Sequence, residues 1–347
     1  MITTIPSSFS IDRKTTNTIK GAALILMFIH HFFTFPDWLI DGIDYWWLGS
    51  FAEYFNAPTK LCVAIFAFLT GYFYYSSNKK TLRNSLKKAT DLWLIYVLVF
   101  FVMLIPALYF NVYERSLVKF VAEVATLYTP TMSFCWYVPF YMIVVLLLPF
   151  LSKISEKNSV LAIFLVVTVP FALSYVHLII RNGPFAILYN IIEDLSWLPC
   201  VLSGYLFAQY NFFDKMYIFC RSRKTFGYII IQLLCMLLPF FSRYYTTKFD
   251  IFYAPMFIFG LVNIVNIIRR KWLLKPLYTI GKYSLPMWFL HGIFFNTCKE
   301  YTQWILYYPK NPILVLLWGL ALCLFVSVII MFPIDFIVKI KNKLFFK

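Results

Sequence analysis

Ile19-Lys20-Gly21-Ala22-Ala23-Leu24-Ile25-Leu26-Met27-Phe28-Ile29-His30-His31 is an apolar run with a cation near one end and two imidazoles at the other. With its flanks it extends over about residues 17–35. As a helix rising about 1.5 Å per residue, that length matches the roughly 30 Å hydrocarbon core of a bilayer. Similar runs recur at about 58–76, 91–110, 133–152, 160–180, 195–209, 225–242, 250–268, 283–298 and 312–335. The chain has 347 residues, of which 61% are hydrophobic, 21% aromatic and only 13% charged. That composition excludes a water-soluble globular domain. The unbroken runs also exclude a transmembrane β-barrel, whose strands alternate apolar and polar residues. The expected fold is therefore all-α, a polytopic membrane protein of about ten transmembrane helices.

The spacing of charge orients the spans. Most of the 31 Lys and Arg residues fall on one set of alternate loops, as Arg13, Lys14 and Lys20; Lys79 to Lys88; Lys153 and Lys157; Lys215 to Lys224; Arg269 to Lys282; and Lys339 to Lys347. The positive-inside rule places these loops, and with them both termini, in the cytoplasm. The segment 36–57 carries Asp37, Asp41, Asp44 and Glu53 with no Lys or Arg, as an outer loop should. Three regions follow: a cytoplasmic N-terminal segment 1–16, one membrane domain 17–338 and a basic cytoplasmic tail 339–347. The N-terminal segment lacks the charged, apolar and small-residue order of a cleavable signal peptide, so the first helix is expected to stay. The net charge of +16 is accounted for by these clusters, with anionic membrane lipid rather than nucleic acid as their partner. Seven cysteines stand singly without CxxC or CxxH spacing, so neither a disulfide frame nor a metal site is expected.

Ionisable groups inside a membrane are costly, which makes each a functional candidate. Lys20 and His31 are eleven residues apart, three helical turns with about 20° left over, so both project from one face about 16 Å apart. A cation then sits at the headgroup level, with an imidazole deep on the same stripe. An imidazole is suited to general-base work near neutral pH. His30 points about 100° away. The plainer alternative is that Lys20 snorkels and His31 only packs. Thr70 and Gly71 permit close approach of a helix or ligand. Lys80 and Arg83, three apart, are read as one face of a helix entering the cytoplasm, able to hold phosphates or to act as a topology signal. His177 lies in no motif and is read as structural.

In order along the chain, Lys20 to His31, Thr70-Gly71-Tyr72, Lys80-Thr81-Leu82-Arg83, Trp136-Tyr137-Val138-Pro139 and Ile280-Gly281-Lys282-Tyr283-Ser284 through His291 resemble the motifs of the acyltransferase-3 membrane family. That family includes bacterial O-acetyltransferases of surface polysaccharides. Its first-helix pattern is a basic residue, ten residues, then His, with Lys here where Arg is commoner. Its Ser-Gly-Phe-like motif corresponds to Thr70-Gly71-Tyr72. The resemblance covers residues 17 to about 335.

The resemblance implies a multi-pass protein of the plasma or inner membrane that transfers an acetyl group from acetyl-CoA to a carbohydrate hydroxyl, with no permanently bound cofactor. His31 would be the catalytic base. Lys20, Thr70, Gly71, Lys80 and Arg83 would bind acyl-CoA, and His30, Trp136, Tyr137, Ser284 and His291 are substrate-binding candidates. Thr70, Ser284, Asn296 and the Gly71 backbone are candidate oxyanion donors. Partners would be acyl-CoA, a carbohydrate acceptor, membrane lipid and, in an oligomer, further copies of the chain. The aromatic and acidic residues of 36–57, among them Trp38, Trp46, Trp47 and Tyr54, suit either a sugar platform or an interfacial aromatic belt. The competing class is a transporter or flippase of lipid-linked sugars. Buried acids and paired broken helices in repeated halves would favour that class. Asp91 and Asp335 lie near span ends, and the halves show no symmetry.

Overall fold

A computed structural model describes residues 9–43, 45–127, 129–180, 195–223, 225–268, 270–296 and 298–346, without the side chains of 130, 170, 171, 173, 174, 176–180 and 271. His177 therefore lies outside the described side chains. The described residues are overwhelmingly helical. Their α-helices are α1 Arg13–Phe33, α2 Trp46–Thr59, α3 Leu61–Tyr75, α4 Leu82–Tyr109, α5 Leu117–Val124, α6 Tyr137–Lys157, α7 Ser159–Ile180, α8 Leu198–Gln209, α9 Phe212–Arg221, α10 Thr225–Tyr245, α11 Asp250–Ile267, α12 Lys275–Lys282, α13 Ser284–Leu290, α14 Lys299–Tyr307 and α15 Pro312–Phe345.

Six stretches among them are long and apolar enough to cross a membrane: Trp46–Tyr75, Leu82–Tyr109, Thr131–Lys157, Thr225–Tyr245, Asp250–Ile267 and Pro312–Phe345. Several expected boundaries move. Half of the presumed outer loop 36–57 is the helix α2, which ends at Thr59, one residue after Pro58. The expected span 283–298 is broken into α13 and a 3₁₀ turn, His291–Phe294, with Tyr283 separating α12 from α13. The last helix, α15, runs without a break into the basic residues 339–345 and ends at Phe345. There Lys341 pairs with Asp91 on α4 at 2.5 Å, and Asn342 donates to the same carboxylate. A period near four explains how α15 meets the protein. Val315, Gly319, Cys323 and Ser327 are buried on one stripe, while Ile313, Leu317, Phe325 and Phe332 are exposed, as a lipid-facing surface requires.

The chain divides into two compact units. The first comprises Met1–Asp37, Asp44–Ser76 and Cys200–Ser284. Within it α1 packs on α12, α2 and α3, and α11 packs on α3 and α10. Two crossings are made by glycine pairs. A Cβ on Gly281 would overlap the Asn17 carbonyl and lie 2.8 Å from the Gly21 nitrogen, and one on Gly21 would overlap the Leu277 carbonyl. On α3 and α8, Gly71 faces Val201 and Tyr205, while Gly204 faces Phe68 and Tyr72. Without a hydrophobic force to join helices in lipid, such backbone-to-backbone approach is what dispersion forces need.

The second unit comprises Trp38–Ile43, Ser77–Pro199 and Leu285–Lys347. Here α4 packs on α6 and α15, and α6 on α7. Gln303 on α14 holds the 38–43 segment, accepting from the Ile40 amide at 2.9 Å and donating to the Trp38 carbonyl at 3.0 Å. Glu123, fully buried, accepts from the Tyr113 hydroxyl at 2.9 Å and the Thr131 amide at 2.8 Å. Burial and that bond to a carboxylate push the Tyr113 phenol up from its ordinary range.

Candidate functional site

In the first unit the site begins with α1. Asp12 caps it, its carboxylate accepting from the Thr15 amide at 2.6 Å. This bond holds the Asp12 carboxyl below its ordinary value. From that cap the helix is unbroken to Phe33, so the expected stripe exists, with Lys20 and His31 both half-buried three turns apart. Gly281, from the late motif, seats its α12 backbone against Gly21, the neighbour of Lys20. Two motif segments far apart in sequence thus meet at the basic end of the stripe.

The other end holds both imidazoles. Thr34 ends the helix, its amide and hydroxyl donating to the His30 carbonyl at 3.2 and 2.6 Å. The rings of His30 and His31 lie 5.1 Å apart at 57°. Phe35 contacts both, edge-on to His30 at 5.0 Å and stacked on His31 at 6.2 Å. His30 is the more deeply set, at 5% exposure. Its Nδ1 lies 3.2 Å from the Thr59 hydroxyl at the end of α2.

A buried ion pair braces that end of α2. Arg243, near the end of α10, makes a two-armed bond to Asp250 at the start of α11, Nε to Oδ1 at 2.8 Å and Nη2 to Oδ2 at 3.0 Å. Its Nη1 donates to the carbonyl of Ala57, two residues before Thr59. The sequence reading missed Thr59, Arg243 and Asp250. The signal was present only in part, as an Arg closing one apolar run and an Asp opening the next.

Thr70 is half-buried and its hydroxyl donates to the Phe66 carbonyl at 2.9 Å, a bond it would have to exchange to stabilise an oxyanion. The flank that Gly71 leaves open is covered by the α8 backbone. Ser284 is buried at the first turn of α13.

The second unit holds the remaining candidates. Lys80 is not helical. Thr81 is the N-cap of α4, with Asn84 donating to its hydroxyl, so the cations at 80 and 83 flank a helix start and do not share a helix face. Lys80 pairs with Glu156 of α6 at 3.2 Å, half in water, and Arg83 is exposed. Such an exposed pair contributes at most about 1 kcal/mol, so an anion can displace it.

The Trp136 and late motifs meet here. Trp136 ends a 3₁₀ turn and stands edge-on to Tyr137 at 5.7 Å, and Tyr137 stands edge-on to Trp288 at 5.7 Å. His291, fully buried, lies against Phe134 at 5.1 Å and donates from Nδ1 to the Trp288 carbonyl. Asn296 is committed, accepting from Ser133 at 2.7 Å and donating to the Thr131 carbonyl at 3.2 Å. Among the described residues no group of three or more His, Cys, Asp or Glu side chains is arranged to hold a metal ion.

The sequence model of one family, described as an acyltransferase domain, matches residues 15–332, most of the chain. No curated protein and no solved structure matches it.

Proposed function

We propose that this chain, which belongs to the acyltransferase-3 family, moves an acetyl or similar short acyl group from acyl-CoA to a hydroxyl of a cell-surface carbohydrate or lipid-linked sugar. Family and apolar helices together make it a multi-pass membrane acyltransferase. The donor, the acceptor, the residue roles, ten crossings with cytoplasmic termini and a bacterial inner membrane are the finer reading. In that reading α1, α7, α8 and the segment 283–298 supply the four crossings beyond the six apolar stretches.

The observation that supports it is the continuous α1 stripe, with Lys20 and His31 half-buried three turns apart. His31 removes the proton from the acceptor hydroxyl as its oxygen attacks the thioester carbon. The C–O bond forms, the C–S bond breaks, and the proton ends on the departing thiolate. Lys20 in the first unit, and separately Lys80 and Arg83 in the second, are cations of the kind that attract the phosphates of CoA. Lys20 presents a point charge and not the two-pronged fork an Arg would. Trp136, Tyr137 and Trp288 form an aromatic group of the kind that stacks on sugar rings.

A transporter would need buried acids that change partners. Asp250 and Glu123 are buried, but each is committed to internal donors. The test is purified protein in nanodiscs mixed with radiolabelled acetyl-CoA, measuring transfer to added oligosaccharide and slow hydrolysis without it. Wild type should turn over, and His31→Ala should lose about 10²-fold or more. Equal turnover by the variant refutes the reading.

A further inference from the structure

Two hydroxyls face Nδ1 of His30, and both have spent their proton elsewhere. The Thr59 hydroxyl lies 2.5 Å from the Phe55 carbonyl, against 3.2 Å to the imidazole nitrogen. The Thr34 hydroxyl lies 2.6 Å from the His30 carbonyl, against 3.4 Å to the same nitrogen. A carbonyl oxygen only accepts, and a hydroxyl has one proton, so at these separations each proton points to its carbonyl. What each hydroxyl turns to the ring is a lone pair. The ring nitrogen facing two lone pairs must carry the hydrogen. His30 is thereby fixed as the Nδ1–H imidazole, and its Nε2 is the basic nitrogen. The hydrogen-bond network assigns this tautomer, following the rule that the partner of one ring nitrogen decides the chemistry of the other.

The arrangement is held from behind. Thr59 is the last residue of α2, and the helix does not pass smoothly into α3 beyond it. The carbonyl of Ala57 in that last turn is taken by the Arg243 guanidinium, itself fixed by two bonds to Asp250. A buried charge pair in a membrane is expensive and commonly marks function. Here it is spent on the turn that presents Thr59.

We infer that Thr59, braced by Arg243 and Asp250, sets the tautomer of His30, and that His30, beside His31, is the second carrier of the proton during acyl transfer. The inference rests on the reading of His31 as base. The acceptor O–H bond breaks as C–O forms and C–S breaks, and the proton passes to His31. From His31 it moves to Nε2 of His30, and it returns by the same route to the sulfur, so that product ester and CoA thiol leave both rings neutral. His30 touches neither substrate in this scheme. It is a positioning and relay residue.

The experiment uses the full chain in nanodiscs with ¹⁵N-labelled histidine, the His30 signal being assigned by its loss in His30→Gln. Wild type should show His30 as Nδ1–H. Thr59→Val keeps the shape and removes the nearer of the two oxygens, leaving only the Thr34 hydroxyl at 3.4 Å, and it should shift that signal part of the way toward the other tautomer. It should also lower kcat about 10-fold or more with KM for acetyl-CoA within about twofold. Thr59→Ser restores the hydroxyl and should recover both signal and kcat. A merely structural threonine would instead change thermal stability, leaving the ring signal and the kcat-against-KM split where they were.

The inference is overturned if wild-type His30 is Nε2–H, or if Thr59→Val changes the tautomer and turns over like wild type. A wild type that neither transfers nor hydrolyses acetyl-CoA sinks the functional reading and the relay together. In that case the nitrogen signals, which need no substrate, still decide the tautomer, so the two failures are told apart.

Discussion

Removing either partner of the Arg243–Asp250 pair should cost far more than removing both. The two side chains are 1% and 8% exposed, so neither charge is shared with water. Their bonds are two short contacts between the charges and one from the guanidinium to Ala57. Asp250→Leu strands a buried guanidinium with one carbonyl as its partner. Arg243→Met strands a carboxylate and also leaves the Ala57 carbonyl unpaired. Each single change should cost about 3–5 kcal/mol, the usual penalty for orphaning a buried charge.

The double variant removes both charges and keeps apolar bulk. Its residual cost is the unpaired Ala57 carbonyl, about 1–3 kcal/mol. The coupling between the positions, the sum of the singles less the double, is then at least about 3 kcal/mol. Unfolding in mixed micelles on titration with a denaturing detergent, followed by tryptophan fluorescence, measures all three. Singles below about 1 kcal/mol, or a double equal to their sum, would refute the claim that this pair is a desolvated unit.

The other perturbations probe separate parts of the structure. Gly281→Leu places a side chain where the α1 backbone lies, so it should separate α12 from α1 at a cost above about 1–3 kcal/mol and abolish turnover. Gly49→Ala, inside α2 with nothing within 4 Å of the added carbon, should raise stability by about 0.5–1 kcal/mol, read by thermal unfolding. Lys80→Glu with Arg83→Glu should weaken CoA binding by an amount that shrinks as salt rises, read by calorimetry at two ionic strengths, and unchanged affinity returns the cluster to a topology signal. The Asp12 cap has a defined pH sense. Its folded pKa lies below the ordinary 3.8, so its stabilisation is complete above that value and is lost as pH falls through the folded one. The protection of the Thr15 amide, its exchange rate measured against the intrinsic rate at the same pH, should therefore fall below about pH 4 in wild type, and Asp12→Asn should remove that dependence.

The membrane class, the helical content and the α1 stripe were legible because each depends on residues close in sequence. Hydropathy averages over one helix, and a spacing of eleven needs only the helix to be unbroken. What failed depended on local interruption. The expected span 283–298 is helical only over Ser284–Leu290 before it tightens into the 3₁₀ turn His291–Phe294, and Pro58 stands one residue before the end of a helix that begins inside a presumed loop. Thr81 caps α4, which left Lys80 outside the helix whose face it was to share with Arg83. Apolar windows are blind to caps and breaks, since neither changes the composition of a window by more than a residue.

The brace behind His30 was illegible for a different reason. Thr59 is 29 residues from His30, and Ala57 is 186 residues from Arg243. Contacts of that kind follow from which helices cross, and no periodicity along one helix encodes it. Yet the angular argument that separated the two imidazoles held. His30 points about 100° from the Lys20–His31 stripe and so is no partner for Lys20, and that offset is what turns it toward α2 and the Thr59 hydroxyl. Neighbours in sequence on a helix necessarily serve different surfaces. A motif that counts from a basic residue to a single His finds the imidazole on the substrate stripe and passes over the one beside it. That second ring has its hydrogen fixed by two spent hydroxyls and its support fixed by a buried ion pair. Those two features make the His30–Thr59 contact the more informative place to cut.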